Sequence, residues 1–374
     1  MKVLLLTWDY PPARGGIQIW MFELARRLPG AEVMVFAPAV PGSEAFDAKA
    51  NVRVRRIGGV RMGQRVWLLR LAAVTIARSL RWRPDLIVCG HIVTAPAALL
   101  AKWLLRVPYV VFTYAYEIRR KGRRHLAGFA LRRSALVIAS SRFTEASVRV
   151  HGVSPERVRI LHPGVDPERF TPDPNSNRQP TMPVAKILLS ISRLSDRYKG
   201  HDTVIRALPL IKAKCPEARY LIAGDGRLRE YLGRIAQSVG AEREVVFLGE
   251  VSDEALAGLY RSCDVFIQLS REAGSGGGAE GFGIVCLEAG ACGKPVVAGR
   301  SGGLLDAVSD GVTGILVDPK DLGAVAEAIL AVLQDPALGQ HLGQQGRARV
   351  LREFTWDHMA QRARRLFAEA AGKG

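Results

Sequence analysis

Two glutamates eight positions apart, Glu280 and Glu288, sit in the glycine-rich stretch SGGGAEGFGIVCLEAGACGKPVVAG at 275–299. Beside a phosphate alone, two carboxylates would repel. They make sense if each accepts hydrogen bonds from hydroxyls at opposite ends of one ligand. If a helix starts near Phe282, the amides of Gly283, Ile284 and Val285 lie at its N-terminus, where unpaired N–H groups and the helix dipole favour an anion. Glu288 then lies more than one turn further in. A second candidate is the loop SRLSDRYKG at 192–200, in which Arg193 and Lys199 lie six apart. A curling loop brings both to one anion, Arg as a bidentate fork and Lys as a point charge; the same two residues on a plain surface loop simply face water. Two further glycine turns follow apolar runs: PPARGGI at 11–17, with Gly15 and Gly16, and AGDGRL at 223–228, with Gly224. Each lets a backbone turn and approach a ligand closely, or is only a turn. No GxGxxG follows the first run, so a dinucleotide fingerprint is absent. A sugar nucleotide offers hydroxyls at both ends and a diphosphate between them.

Such loops need strands behind them. Short apolar runs alternate with helical patterns: KVLLLTW, EVMVFAP, LIVCG, YVVFTYA and LVIAS, then ILLSISR, YLIAG, VVFLG, VFIQLS, PVVAG and GILVD. Runs of four to seven residues without polar alternation are what a parallel sheet covered on both faces requires. In such sheets ligands bind beyond the carboxyl ends of the strands. The pattern predicts two doubly wound α/β domains, 1–170 and 185–353. The stretch TPDPNSNRQPTMPV at 171–184, with four prolines, joins them. A last helix, within 354–374 and carrying Met359, Ala363, Leu366 and Phe367, is expected to cross back to the first domain.

A chain of 374 residues, 48% hydrophobic and 24% charged, suits two globular domains rather than a disordered polymer. The opening MKVLLLTWDYPPARGG reads as a buried strand rather than a signal peptide, and no apolar run is long enough to span a bilayer. Cys89, Cys215, Cys263, Cys286 and Cys292 are scattered and mostly set in apolar runs, which fits buried thiols in a cytosolic protein better than disulfides. Their spacing suggests no metal site. The net charge of +18 is uneven: residues 1–184 hold 29 Lys and Arg against 12 Asp and Glu, and residues 185–374 hold 24 against 23. The densest part is IRRKGRRHLAGFALRR at 118–133, a candidate helix that also carries Leu126, Phe129 and Leu131. It suits an anionic membrane surface, or is a solvated basic face. Nucleic acid is not expected, since there is no aromatic and basic interleaving, zinc signature or repeat.

EGFGIVCLE followed by AGACGKPVVAG and SGG resembles the retaining glycosyltransferases of family 4, which have the GT-B fold. PPARGG, HPGVDPERF at 162–170, Arg193 and Lys199 before Gly200, and FLGEVSDEAL at 247–256 carry the same likeness. DYPPARGGIQ and the glycine-rich approach resemble the phosphatidylinositol mannosyltransferases within that family. The resemblance implies two Rossmann-like domains facing across a cleft, and a nucleotide sugar held mostly by the C-terminal one. It assigns Arg193 and Lys199 to the diphosphate, Glu288 to the ribose and Glu280 to the transferred sugar. Phe282 to Val285 supply amides, and the Gly15–Gly16 and Gly224 turns lie toward the donor. The expected activity is hexosyl transfer with retention, without cofactor or metal. The favoured donor is GDP-mannose, and the acceptor a lipid-linked or glycan molecule. A UDP-sugar donor such as UDP-glucose or UDP-N-acetylglucosamine is the alternative, followed by a non-catalytic sugar-nucleotide or polyanion binder. A cytoplasmic protein, peripheral on the inner face of the membrane, is expected. On the acceptor side the chain departs from the family pattern. TYAYE at 113–117 puts Tyr114 and Tyr116 where the mannosyltransferase-like pattern has histidines, and retains Glu117. A phenol cannot serve as the same neutral-pH base, though it can donate a hydrogen bond. His91, at the tip of LIVCGH, is either another acceptor-side contact or an ordinary loop residue.

Overall fold

Val, Leu and Ile runs form strands because their branched side chains suit a pleated surface, and a run apolar on both faces must be covered on both. The computed structural model of the protein describes residues 1–59, 63–119, 124–172, 185–273 and 278–373. The chain divides into two units, Met1–Gly164 with Trp356–Gly374, and Val165–Thr355. Val165 and Phe170 pack in the core of the second unit, ahead of the proline-rich stretch at 171–184. Residues 173–184 of that stretch lie outside the described residues, as do 120–123 of the basic segment, 275–277 of the glycine-rich approach, and the side chains of Tyr116, Arg124 and Leu126.

The first unit runs β1 (Lys2–Leu6), α1 (Gly16–Arg27), β2 (Glu32–Ala39), α2 (Ser43–Lys49), β3 (Arg53–Gly59), α3 (Gln64–Trp82), β4 (Leu86–Cys89), α4 (Ala95–Leu105), β5 (Tyr109–Thr113), α5 (Tyr116–Arg119), α6 (Arg124–Leu131), β6 (Leu136–Ala139), α7 (Arg142–Arg149) and β7 (Val158–Ile160). The second runs β8 (Lys186–Ile191), α8 (His201–Lys212), β9 (Ala218–Ala223), α9 (Arg229–Ser238), β10 (Val245–Gly249), α10 (Asp253–Ser262), β11 (Val265–Gln268), α11 (Ile284–Ala291), β12 (Val296–Gly299), α12 (Leu304–Ala307), β13 (Ile315–Val317), α13 (Leu322–Gln334) and α14 (Pro336–Glu353). A final helix, α15 (Trp356–Ala370), belongs to the first unit.

Both sheets are wholly parallel, so each unit is a doubly wound α/β domain as expected. Strand order is β3-β2-β1-β4-β5-β6-β7 in the first and β10-β9-β8-β11-β12-β13 in the second. Alternate residues sort to opposite faces of the first sheet, as the two-residue strand period demands. Leu4, Leu6, Phe36, Ile87 and Val111 meet Trp67 and Leu71 of α3 and Ala98 of α4. Val3, Leu5, Val35, Val88 and Phe112 meet Trp20 and Leu24 of α1 and Met359, Ala363 and Phe367 of α15. The segment at 118–133 divides between α5 and α6. Strand order reverses between β1 and β4 and between β8 and β11. These are the switch points outside which doubly wound sheets bind ligands.

Candidate active site

The loop after β8 carries Arg193 and Lys199, and the loop after β11 carries Glu280, so the second unit places these residues at its switch point. Close backbone approach makes this geometry possible. Gly224, at φ 126°, passes so near the carbonyl of Ser192 that a Cβ there would lie 1.9 Å from its oxygen. Gly200, at φ 81°, would meet the Leu269 carbonyl oxygen at 2.0 Å. Only glycine accepts both the left-handed backbone and the missing space. Gly224 is therefore explained as the residue that seats the Arg193 loop against β9.

Lys199 Nζ donates to Glu280 Oε2 at 2.7 Å, Ser270 Oγ donates to the same oxygen at 3.1 Å, and Gln268 Nε2 at 3.2 Å. Burial alone would raise the Glu280 carboxyl, but the Lys199 charge and these hydrogen bonds outweigh it and hold the group below the ordinary range. Burial likewise pulls Lys199 down, yet Glu280 and Tyr198 more than restore it, against a smaller opposing push from Arg193. The pair is ionised throughout the neutral range. All three donors converge on Oε2, and Oε1 is the second acceptor of the group. Arg193 is exposed. The Glu280 loop is braced from behind: the amide of Gly303 donates to the Glu280 carbonyl at 2.8 Å, and a Cβ on Gly303 would lie 2.2 Å from the carbonyl oxygen of Gly281. The SGG that follows β12 is thus packing for the acidic loop.

Helix α11 starts at Ile284, with Gly283 as its cap at φ 103°, so the amides of Gly283, Ile284 and Val285 lie at its N-terminus. Phe282 is buried beneath, its ring 5.9 Å from that of Phe354. Glu288, half-buried on α11, accepts from the Tyr260 hydroxyl at 2.6 Å. Burial pushes its carboxyl up, opposed by Tyr260 and Arg169.

The other predicted residues belong to the first unit and gather at the tips of β1, β4 and β5. Gly15 caps α1, and the Gln18 amide folds into the space its missing side chain leaves, where Gln18 Nε2 donates to Asp9 Oδ1 at 3.0 Å. Gly16 opens α1. His91 caps a short turn, its Nδ1 accepting from the Val93 amide at 3.1 Å. The buried Tyr114 hydroxyl donates to the Gly90 carbonyl at 2.8 Å, and its ring stands edge-on to Trp20 at 5.6 Å. Tyr114 thus ties β5 to β4. Tyr116 opens α5. Glu117 Oε1 accepts from the Tyr114 amide at 2.7 Å across Ala115, which has a φ of 80°. That conformation is rare outside glycine. Burial, aided by the charge of Asp9, raises the Glu117 carboxyl to about 7 against the pull of backbone amides. Among the described residues no group of three or more His, Cys, Asp and Glu is arranged to hold a metal ion. All five cysteines are buried free thiols.

Comparison with known proteins places the chain in a family. The first unit matches a family model described as Glycosyltransferase Family 4 over residues 14–169, and the second a model described as Glycosyl transferases group 1 over 174–349. A GDP-mannose-dependent alpha-(1-6)-phosphatidylinositol monomannoside mannosyltransferase of Mycolicibacterium smegmatis is 34% identical over 369 residues, 95% of each chain. Its namesake in Mycobacterium tuberculosis is 32% identical over 96% of each. The chain belongs to the retaining glycosyltransferases of GT-B fold. It transfers a sugar from a nucleotide-sugar donor to an acceptor. Two solved structures share the fold of this glycosyltransferase: Anabaena HepE in complex with UDP-glucose, at TM-score 0.81 and 23% identity over all of both chains, and sucrose-phosphate synthase from Thermosynechococcus elongatus, at 0.83 and 24% over all of both. Among the described residues of the glycosyltransferase, no single helix is long and apolar enough to cross a membrane; one bent pair, α13 with α14, passes by length and composition.

Gln268, Ser270, Tyr198 and Tyr260 touch the predicted site residues, yet sequence reasoning passes over them. Gln268 alone gives a signal, as a polar residue ending an apolar strand run. Tyr260 lies in an ordinary helical pattern, and only the fold brings it to Glu288.

Proposed function

We propose that this glycosyltransferase moves mannose from GDP-mannose, with retained anomeric configuration, onto a lipid-linked or glycan acceptor at an anionic membrane surface. The observation that carries the donor reading is the half-buried Lys199–Glu280 pair at the β8/β11 switch point. The names of the mannosyltransferase relatives supply the sugar and the base. In this reading Arg193 and the remaining N–H donors of Lys199 hold the diphosphate. As the bond from the anomeric carbon to phosphate breaks, negative charge grows on the leaving oxygen, and these cations, with the amides opening α11, stabilise it. The acceptor hydroxyl forms the new bond on the same face and gives its proton to the departing phosphate. Glu280 Oε1 accepts hydrogen bonds from hexose hydroxyls, which fixes the ring. Glu288 does the same for ribose. Two side-chain cations supply the neutralisation a divalent ion would otherwise provide, so turnover persists in chelator. Glu117 and His91, at the tips of the first sheet, serve the acceptor.

A panel of nucleotide sugars offered to the purified protein tests the donor. The expected result is consumption of GDP-mannose and a product whose proton NMR coupling at the anomeric centre matches the donor. Preferential use of UDP-glucose or UDP-N-acetylglucosamine would overturn the assignment of base and sugar, and consumption of no donor would favour a binding protein. The membrane part rests on the uneven charge and on Trp103 and Leu104, 59% and 60% exposed beside Lys102 and Arg106. Sedimentation with anionic but not neutral liposomes, lost when Arg119, Arg120, Arg123 and Arg124 become Ser, is the expected outcome. Equal partitioning to both would point to a water-soluble glycan acceptor.

A further inference from the structure

The hydrogen bond to the Glu288 carboxylate comes from another helix, the Tyr260 hydroxyl of α10 at 2.6 Å. The Tyr260 side chain is 0% exposed, its ring held 5.7 Å from Phe170 and 5.3 Å from Phe266. A ring packed on two sides in a dense core has one orientation open to it. Its hydroxyl is therefore a fixed donor, aimed at one carboxylate oxygen, Oε2.

We propose that Tyr260 is a positioning residue for donor recognition: it holds Oε2 of Glu288 so that Oε1 is pre-aimed to accept the neighbouring hydroxyls of the nucleotide ribose. The inference deepens the functional reading above and rests on its assignment of Glu288 to that ribose. The surrounding charges are few. Arg169 donates to the Asp253 carbonyl and lies 4.0 Å from the Asp253 carboxylate at the start of α10. Cys286 lies on α11 itself, and Cys292 follows it with Arg261, Lys294 and Arg347 around it. Burial pushes Glu288 toward its neutral form, Tyr260 and Arg169 draw it back, and Asp253 sides with burial. Without the phenolic hydroxyl, desolvation is less opposed and the carboxylate also loses its anchor.

Tyr260→Phe removes one oxygen and keeps the ring. In the full chain the expected result is a donor KM raised about fivefold with kcat nearly unchanged, the signature of a contact made equally in ground and transition states. The acid limb of kcat/KM moves to higher pH by about one unit. A core-packing role alone would not move that limb. Nucleoside diphosphate binding should weaken in the variant when the ribose is intact and be unaffected when it is 2′,3′-dideoxyribose. Should the Phe variant fail to fold, 3-fluorotyrosine at 260, a stronger donor of the same shape, should move the limb to lower pH; a limb that stays put or rises overturns the proposal. If Glu288→Gln weakens ribose-dependent binding while Tyr260→Phe changes neither KM nor the limb, the positioning role falls and the donor reading stands. If Glu288→Gln binds intact and dideoxy nucleotides as the wild type does, the assignment of Glu288 to the ribose is wrong and the role of Tyr260 falls with it.

Discussion

The strand tips of the two units carry carboxylates in opposite electrostatic settings. In the second unit Glu280 faces a cation and two neutral donors within 3.2 Å, and its charge is fixed. In the first unit Glu117 is held by backbone amides, and the neighbouring charge that shifts it is another carboxylate, Asp9. Both groups lose water on folding, and a buried carboxylate without a cation moves toward its neutral form. The lesson is that burial alone does not set a carboxylate's character; its partner does. The second unit keeps the Lys199–Glu280 pair charged at any pH near neutral, as the proposed site for a diphosphate and sugar hydroxyls requires. The first presents a carboxyl that changes state in that range.

The sharpest way to break the contrast is to remove the cation. Lys199→Met leaves the half-buried Glu280 with Ser270 and Gln268 as its donors among the described residues, and in the proposed reading it takes one of two cations from the leaving group. Breaking a buried pair by deleting one partner costs about 3 to 5 kcal/mol. Part of that falls on stability and part on turnover, so kcat/KM should drop at least a hundredfold and the unfolding midpoint should fall. Glu280→Gln should retain more of both, because an amide still accepts from Lys199. Steady-state kinetics and thermal unfolding of the two variants check the order; equal turnover in Lys199→Met and wild type would remove Lys199 from the site.

How far the site is legible in the sequence follows from the same physics. Interior strands show as unbroken apolar runs because both faces are covered, and eleven of the strands show this pattern. The two that do not, RVRRIGG of β3 and VRI of β7, are sheet edges, where charged side chains face water and blunt unwanted pairing. The acidic loop was legible because its glycines and glutamates are close in sequence. Not legible is whatever the fold brings from a distance: Gln268 and Ser270 from the tip of β11, Tyr260 from α10, and Asp9 beside Glu117. The Tyr114 hydroxyl, open in sequence to a structural or functional role, is occupied by the Gly90 carbonyl. That pairing joins two strands that single-sequence patterns cannot place side by side.

A second test concerns what lies beneath the fixed charges. His201, which follows Gly200, is buried between the Ser192 hydroxyl at 2.7 Å and the Tyr220 hydroxyl at 2.9 Å, and Tyr220 passes the chain to Ser190 at 2.9 Å. Burial first, then the charge of Lys199, lowers its pKa to about 4, against Asp202. The unfolded chain binds this proton near pH 6.5 and the folded one near 4. The contribution is therefore complete above 6.5 and is lost as pH falls toward 4, by about 3 kcal/mol. Denaturant unfolding should show that slope in the wild type and a shallower one in His201→Gln. Parallel curves would mean that the imidazole is charged inside the fold.

The smallest expected effect belongs to Glu117, and its sign is opposite. Its folded pKa is raised from the usual value to about 7, so the folded state keeps a proton that the unfolded state releases above about 4.5. The stabilising contribution is complete below that point and is lost as pH rises through 7. Glu117→Gln keeps an oxygen to accept from the Tyr114 amide but has no proton to lose. It should match the wild type at pH 5 and exceed it at pH 8 by roughly 1 to 2 kcal/mol, allowing for partial solvent screening. The substitution also separates stability from function. If the ionised carboxylate serves the acceptor, the more stable variant has the higher acceptor KM above pH 7, and donor KM is unmoved, because the proposed donor contacts lie in the other unit. Equal unfolding curves at pH 5 and pH 8 for the two proteins would show that Glu117 is already ionised in the fold, and the two sets of strand tips would then not differ in the way their partners imply.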